Sequence, residues 1–249
     1  MTNFSINIVS DPVCPWCYIG RKRLEQAITL YKKVYPNGRH DVFTVTWEAY
    51  YLDASAPLRG ISFEERQLQK LTSANTSASP EETRELAARF RERLTSIGRE
   101  VGVAFSFRGK IGNTRSAHRA INYSRTCSGA VDAQDRFVIA LFAAYFEGEA
   151  DITSHEDIAD VAESVRLDRA EMLAWLDSGK GGEEVDEQDR AARDMGLKGV
   201  PHFTVRGRRV DGAQEVQDFL ELFVKIKEEE QEQITKTDVG KAAGSESSI

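Results

Sequence analysis

The 249-residue sequence contains only three cysteines, at positions 14, 17 and 127. So few thiols are typical of a reducing compartment and exclude a fold held together by several disulfides. The first residues lack a basic segment followed by an apolar stretch, and no run approaches the roughly 18 apolar residues of a membrane span. We therefore expect a cytoplasmic protein that does not enter the membrane.

Clustered basic residues are also missing. The formal net charge is −7, and binding to a phosphate backbone needs clustered Lys and Arg. This balance argues against nucleic acid as a partner. With 41% hydrophobic and 29% charged residues, the chain can bury the core of one domain, or of one domain with an insertion.

The most informative feature is Cys-Pro-Trp-Cys at residues 14–17. Residues 4–9 alternate apolar and polar side chains as a half-buried strand does, and residues 16–34 carry apolar side chains at helical spacing. Cys14 is thus expected near a helix N-terminus, where unpaired N–H groups and the helix dipole favour a thiolate. Cys17, one helical turn on, is expected to be less exposed, which suits an attacking and a resolving thiol.

Two other roles for the cysteine pair remain as less favoured alternatives. A structural zinc site needs four ligands and usually a second close pair of Cys or His. The third cysteine and the four histidines supply no such pair, so we expect no metal. A purely structural disulfide is rare in a reducing compartment.

The order of predicted elements indicates the fold class. Residues 41–47 are rich in β-branched and aromatic side chains, so the chain opens as βαβ. Strands return at residues 202–205 and 208–210, and a last helix over 213–227 closes the chain as ββα. The helices predicted between these parts cover residues 80–101, 115–126, 133–147, 154–164, 169–177 and 183–195.

This order predicts an α/β fold in which a split sheet receives a large helical insertion. Residues 1–60 and 197–228 are expected to form one discontinuous domain, and residues 61–196 the insertion. Residues 229–249 are rich in Glu, Gln, Lys, Gly and Ser, a composition for which we predict a disordered tail.

A second chemical signal is Gly-Val-Pro at residues 199–201, directly before the third strand. Proline cannot sit inside a central strand but can begin one, and a cis bond would point the Val200 backbone outward. That backbone could then pair with an extended substrate near the sulfurs. The sequence leaves the cis and trans forms of the bond before Pro201 about equally open.

These two motifs, separated by a helical insertion, resemble those of the DsbA-like thioredoxin-fold oxidoreductases. The segments Asp11–Arg23 and Asn113–Arg119 are most similar to the cytosolic FrnE-like branch. The resemblance covers about residues 4–224 and implies a thioredoxin-like fold.

The resemblance also implies roles for individual residues. Cys14 would be the nucleophile, Cys17 the resolving thiol, and Pro201 the cis-proline that faces them. The substrate would be a protein or small molecule with a disulfide or dithiol. Residues expected to contact it are Pro15, Trp16, Val200, Asn113 and His118. No tightly bound cofactor is implied; glutathione is a candidate redox partner or co-substrate, and a homodimer is one assembly that the sequence allows.

Three parts of the sequence carry further expectations: residue 16, the segment 113–118 and residue 127. Periplasmic DsbA proteins have His where this chain has Trp16, and Trp supplies no positive charge, so we expect a less oxidising centre. Asn113 or Thr114 could simply cap the following helix, and His118 could be a satisfied core histidine; a role of this segment in the site rests on the resemblance. We expect Cys127 to be an inert helical thiol.

Two other functions stay open. Kappa-class glutathione transferases and 2-hydroxychromene-2-carboxylate isomerases share this architecture, but typically have Ser at the first active-site position and lack the second Cys. The presence of both Cys14 and Cys17 counts against them. A non-catalytic thioredoxin-fold binding or chaperone module would tolerate the loss of both thiols.

Overall fold

The computed structural model describes residues 1–74, 77–127 and 131–245, with side chains omitted for Cys127 and for residues 234–245. The expectation for the Cys127 thiol therefore lies outside the described residues. In chain order the elements are β1 Asn3–Ser10, α1 Pro15–Val34, β2 Val42–Ala49, β3 Ile61–Ser62, α2 Phe63–Ala74, α3 Pro80–Val101, β4 Lys110–Ile111, α4 Arg115–Cys127, α5 Ala133–Phe146, α6 His155–Ser164, α7 Arg169–Asp177, α8 Gly182–Asp194, β5 His202–Val205, β6 Arg208–Asp211 and α9 Val216–Ser245.

The main sheet has four strands in the order β2-β1-β5-β6. β1 runs parallel to β2 and antiparallel to β5, which in turn runs antiparallel to β6. The βαβ opening and the ββα close thus share one sheet, with α2 to α8 between them in sequence. This confirms the predicted α/β fold of thioredoxin type with a helical insertion.

The core of the sheet is aromatic. Phe4 of β1 stacks on Phe43 of β2 with ring centroids 4.6 Å apart, and it meets Phe223 of α9 edge-on at 5.3 Å. The Tyr31 ring of α1 also meets the Phe4 ring edge-on, with centroids 5.5 Å apart. Such pairs add to the stabilisation from apolar burial alone, and here they hold α1 and α9 against the sheet.

The insertion covers the outer edge of β2. An edge strand presents unpaired N–H and C=O groups, which invite pairing with another chain. Side chains of α5 and α8 satisfy these groups. The Trp47 N–H donates to Gln134 Oε1 at 3.0 Å, and Gln134 Nε2 donates back to the Trp47 carbonyl at 3.3 Å. The Ala49 N–H donates to Gln188 Oε1 at 2.9 Å. The Tyr51 N–H, just past the strand, donates to Asp189 Oδ1 at 2.8 Å.

A two-stranded ladder in the insertion was not predicted. Ile61 of β3 pairs with Ile111 of β4, and Ser62 pairs with Lys110. Each strand has two residues, which is too short to show the period-2 alternation that identifies strands in a sequence.

The last helix also differs from its prediction. α9 continues past residue 227 to Ser245, whereas the sequence predicted a disordered tail over 229–249. Glu229 forms an ion pair with Arg208, and Glu230 accepts a hydrogen bond from Arg206 at 3.2 Å. Glu, Gln and Lys are good helix formers, and these two contacts anchor the start of the extension to the β5–β6 turn.

A buried ion pair joins the last helix to the first half of the chain. Lys227 Nζ lies 2.8 Å from Asp41 Oδ1, and both side chains are buried. The Thr2 N–H and the Tyr31 hydroxyl also donate to this carboxylate, at 2.6 and 2.9 Å. Burial alone would raise the pKa of Asp41, but the hydrogen bonds from Lys227, Thr2 and Tyr31 outweigh it and lower the pKa.

We predict that Lys227→Met lowers the free energy of unfolding by about 3–5 kcal/mol at neutral pH, because it leaves a buried carboxylate unpaired. Urea unfolding measures the change, and Lys225→Met on the exposed side of α9 is the matched control. The pKa of Asp41 is lower in the folded protein than in the unfolded chain. The stabilisation that its interactions give to the fold is therefore fully present above the unfolded pKa of about 3.9, and it is lost as the pH falls through the folded pKa. The gap between wild type and Lys227→Met should therefore shrink in acid. Equal stability of the two variants at pH 7 would contradict this assignment.

Candidate active site

The two cysteines of the motif lie at the start of α1. Cys14 is the N-cap residue, with an extended backbone of φ −89° and ψ 110°. Its N–H donates to the Asp11 carbonyl at 2.9 Å, and its own carbonyl accepts from the Cys17 N–H at 3.1 Å. Pro15 opens the helix, whose first turn contains no acidic residue. The Cys14 sulfur thus lies at the positive end of a 20-residue helix, where the dipole stabilises an anion.

The second motif meets the first across the sheet. The Val200–Pro201 peptide bond is cis, and Cys14 Sγ donates to the Val200 carbonyl at 3.5 Å. β1 and β5 pair with Val9 opposite His202, so the end of β1 lies beside the start of β5. This register brings Cys14 into contact with a residue 186 positions away in sequence.

The two thiols differ in their surroundings. Both are free; Cys14 is 3% exposed and Cys17 is fully buried. Burial raises the pKa of the Cys17 thiol well above its ordinary value, and the neighbouring Cys14 sulfur raises it further. The Ser10 side chain and the Asp11 backbone lower it only in part. Because the thiolate is the nucleophile in disulfide exchange, any attack by Cys17 would first require loss of its proton.

Trp16 separates the two cysteines in sequence. Its indole is partly buried and packs on the hydrophobic core. The Arg93 guanidinium of α3 lies over the ring, 5.7 Å from its centroid. The insertion therefore reaches the motif itself, in addition to covering the edge of β2.

His118 is buried rather than at the surface. It is 3% exposed, and its Nε2 is 3.7 Å from Asp11 Oδ1. Asp11 is buried as well and accepts a hydrogen bond from the Leu52 N–H at 2.8 Å. The Tyr51 ring meets the imidazole edge-on, with centroids 5.4 Å apart. His118 thus contacts the segment that leads into Cys14, and its predicted contact with substrate stays a prediction.

Asn113 shows the capping geometry that the sequence offered as one alternative. Its Oδ1 accepts from the Arg115 N–H at 3.0 Å at the start of α4. Its Nδ2 donates to the Ala54 carbonyl at 3.5 Å. These hydrogen bonds run to α4 and to the loop after β2 rather than to the thiol pair. A contact of Asn113 with substrate therefore also stays a prediction.

Two residues of this region were not recognised in the sequence. Asp11 could have been noticed, because a carboxylate directly after a buried strand and three residues before Cys14 has to be satisfied inside the fold. Arg93 had no comparable signal. It is one of several exposed arginines on an amphipathic helix, and only the packing of α3 on α1 brings it to Trp16.

Open space lies beside the cis-proline. A pocket of about 410 Å³ is lined by residues 195–202, by Arg209 and Asp211 of the strand that pairs with β5, and by Gly212 directly after it. Residues on both sides of Pro201 border this pocket, among them Val200, whose carbonyl contacts Cys14.

Over residues 1–74, 77–127 and 131–245, no group of three or more His, Cys, Asp or Glu side chains is placed to hold a metal ion. Across the same ranges, no helix combines the length and apolar character that crossing a membrane requires.

Several solved structures share the fold. A probable DsbA oxidoreductase from Streptomyces coelicolor is 24% identical, with a TM-score of 0.71 and coverage of 89% of each chain. A 2-hydroxychromene-2-carboxylate isomerase is 18% identical, with a TM-score of 0.61 and coverage of 94% of this chain and 98% of its own. The cytosolic disulfide reductase DsbM from Pseudomonas aeruginosa, solved with GSH, is 14% identical, with a TM-score of 0.55 and coverage of 90% and 99%.

At these identities the likeness is one of fold. No curated protein matches the chain. The model of the DSBA-like thioredoxin domain matches residues 5–224, and this match spans both cysteines of the motif, the insertion and the cis-proline. The chain therefore belongs to the family of DSBA-like thioredoxin domains.

Proposed function

We propose that this protein is a thiol-disulfide oxidoreductase that exchanges disulfides through Cys14 and Cys17. The observation that carries the proposal is the placement of Cys14 Sγ at the N-terminus of α1, 3.5 Å from the Val200 carbonyl. The resolving thiol lies buried one turn behind it. Membership of the DSBA-like family and the cis bond before Pro201 support this assignment.

The first step is attack by the Cys14 thiolate on one sulfur of the substrate disulfide. The substrate S–S bond breaks, a mixed disulfide with Cys14 forms, and the other substrate sulfur leaves as a thiolate. The N-terminus of α1 stabilises the negative charge on Cys14 before the attack.

The second step uses Cys17. Its thiol loses a proton, and the resulting thiolate attacks the Cys14 sulfur, which releases the second substrate thiolate and leaves a Cys14–Cys17 disulfide. The substrate has gained two electrons, and the centre has lost them. Two equivalents of a small thiol such as glutathione, themselves oxidised to a disulfide, return the centre to its dithiol form. The reverse sequence oxidises a dithiol substrate.

The cis-proline loop supplies the binding surface in this proposal. An extended peptide substrate adds to the Val200 backbone as a strand adds to a sheet edge, with Pro15 and Trp16 beside its sulfur. The adjoining pocket of about 410 Å³ receives the flanking part of the substrate. A cytoplasmic site of action is part of the same proposal; the structural similarity to a cytosolic disulfide reductase supports it.

The first test is redox equilibration in the Cys127→Ser background, which leaves only the two motif cysteines. Across glutathione buffers, alkylation and intact mass should show one reversible two-electron Cys14–Cys17 disulfide. Cys17→Ser should accumulate a mixed disulfide on Cys14, because no resolving thiol remains, while Cys14→Ser should not. Persistent glutathionylation of Cys14 in the protein with both thiols would instead favour the glutathione-dependent transferase or isomerase alternative. Unchanged function without either thiol would favour a non-catalytic module.

The difference between the thiols predicts an order of modification. Because burial raises the pKa of Cys17, iodoacetamide should label Cys14 first at pH 7. Labelling of Cys17 should accelerate as pH rises toward its raised pKa, since only the thiolate reacts. Peptide mass spectrometry over a pH series measures both rates, and Cys14→Ser reports Cys17 without its neighbour. Equal rates at pH 7 would contradict the assigned roles.

The uncharged side chain at position 16 leads to a prediction for the redox potential of the Cys14–Cys17 pair. Without a positive charge at this position, we expect a potential closer to that of thioredoxin or protein disulfide isomerase, about −270 and −180 mV, than to that of DsbA, about −120 mV. Trp16→His should raise the potential, because a protonated imidazole stabilises the reduced thiolate. Trp16→Phe is the matched control, since it removes the indole without adding charge. A wild-type potential as high as that of DsbA would refute this expectation.

A further inference from the structure

α3 carries a guanidinium group to the active-site motif. Leu94 of this helix is buried, and α3 packs directly on α1. The preceding residue, Arg93, is thereby placed over the indole of Trp16, 5.7 Å from the ring centroid. A cation–π contact of this kind contributes about 0.5–1 kcal/mol at an exposed site, which is enough to favour one position of a long side chain.

Among the residues that the structure describes, none forms an ion pair or a hydrogen bond with the Arg93 guanidinium. By contrast, Arg91, two residues earlier, donates to Gln67 at 2.8 Å, and Arg89 lies 3.6 Å from Glu85. Arg89 thus has an acidic neighbour and Arg91 a neutral amide partner, whereas Arg93 has neither among the described residues.

The N–H donors of Arg93 have no hydrogen-bond partner among the described residues. A guanidinium carries five such donors in one plane. Those donors match the two oxygens of a carboxylate, which Arg binds in a bidentate manner. Because Trp16 already restrains the side chain, less conformational entropy is lost on binding.

We infer that Arg93 is a specificity-determining residue that binds a carboxylate of the disulfide substrate while its sulfur is at Cys14. The inference rests on the proposed function and narrows it to anionic disulfides. The protein carries a net charge of −7, so its overall field opposes an anionic substrate. A cation held over Trp16, the residue next to Cys17 in the motif, offsets part of that repulsion there.

The carboxylate could belong to a small thiol or to an acidic side chain of a polypeptide. Glutathione has two carboxylates near its sulfur, and a peptide cysteine can have a neighbouring Glu. Phe90, one turn before Arg93 on α3, is 38% exposed and offers apolar contact to a longer substrate. Both sources would bind Arg93 through a carboxylate, but only the longer polypeptide would also contact Phe90.

The test compares charged and neutral disulfides in the full-length protein. Arg93→Gln should raise KM for glutathione disulfide about tenfold, while kcat/KM for uncharged hydroxyethyl disulfide stays unchanged. Arg93→Lys should restore part of the loss, because it keeps the charge without the bidentate geometry. The control is Arg84→Gln, an exposed arginine about two and a half turns earlier, on the opposite side of α3. It should change neither substrate.

A second pair of substrates identifies the source of the carboxylate. Two disulfide-linked peptides that differ only in Glu or Gln beside the cysteine show whether Arg93→Gln affects an acidic polypeptide more strongly than glutathione disulfide. Equal losses on charged and neutral disulfides, or no loss on either acidic substrate, would overturn the inference. The first result would show a structural role for Arg93.

A binding measurement separates this inference from the proposed function. Calorimetry on the Cys14→Ser variant, with S-methylglutathione and with its diamide, which keeps the ammonium group but has no carboxylate, requires no redox chemistry. Arg93→Gln in that background should weaken binding of the acid about tenfold and leave the diamide unaffected. If wild type turns over no disulfide but this difference is present, the proposed function fails and the carboxylate site stands. If the difference is absent, the carboxylate site fails even in an active oxidoreductase.

Discussion

The antiparallel pairing of β1 with β5 is the constraint on which the site depends. With Val9 opposite His202, the strand that leads into the Cys-Pro-Trp-Cys motif ends beside the strand that begins after the cis-proline. A shift of one residue would turn the side chains of β5 to the other face of the sheet. The buried Phe203 and Val205 would then face away from the core that they now fill. Hydrophobic burial along two short strands thereby fixes the contact between Cys14 and Val200.

The insertion contributes to this arrangement in three places. Through α5 and α8 it closes the edge of β2 with side-chain amides and a carboxylate, so that the sheet can end there without an exposed ladder. Through α4 it packs His118 against Asp11, in the segment that leads into Cys14. Through α3 it brings Arg93 to Trp16. The thioredoxin-type part contains the two cysteines and the cis-proline, and the helices between its two halves supply much of their surroundings.

Local patterns in the sequence predicted the elements but not their contacts. The alternation of residues 4–9 and the helical spacing after Cys14 identify β1 and α1, because hydrophobic periodicity reports which face is buried. Ser154 was correctly predicted as a helix start, since its side chain accepts from the Asp157 N–H. The Arg93–Trp16 contact depends on how α3 packs across α1, which no local pattern records. The helical continuation of α9 depends likewise on Arg206 and Arg208, which lie on another element.

Burial of Cys17 affects the two redox forms unequally. In a Cys14–Cys17 disulfide neither sulfur carries a charge, so a buried position costs little. In the dithiol, burial penalises a thiolate at Cys17 and raises its pKa, and a charge on Cys14 raises it further because two anions one helical turn apart repel each other. In the proposed reaction, Cys14 is uncharged once it is bound in a mixed disulfide, so its contribution to the raised pKa of Cys17 is absent. Formation of that intermediate would thus make Cys17 easier to deprotonate, which would order the two proposed steps.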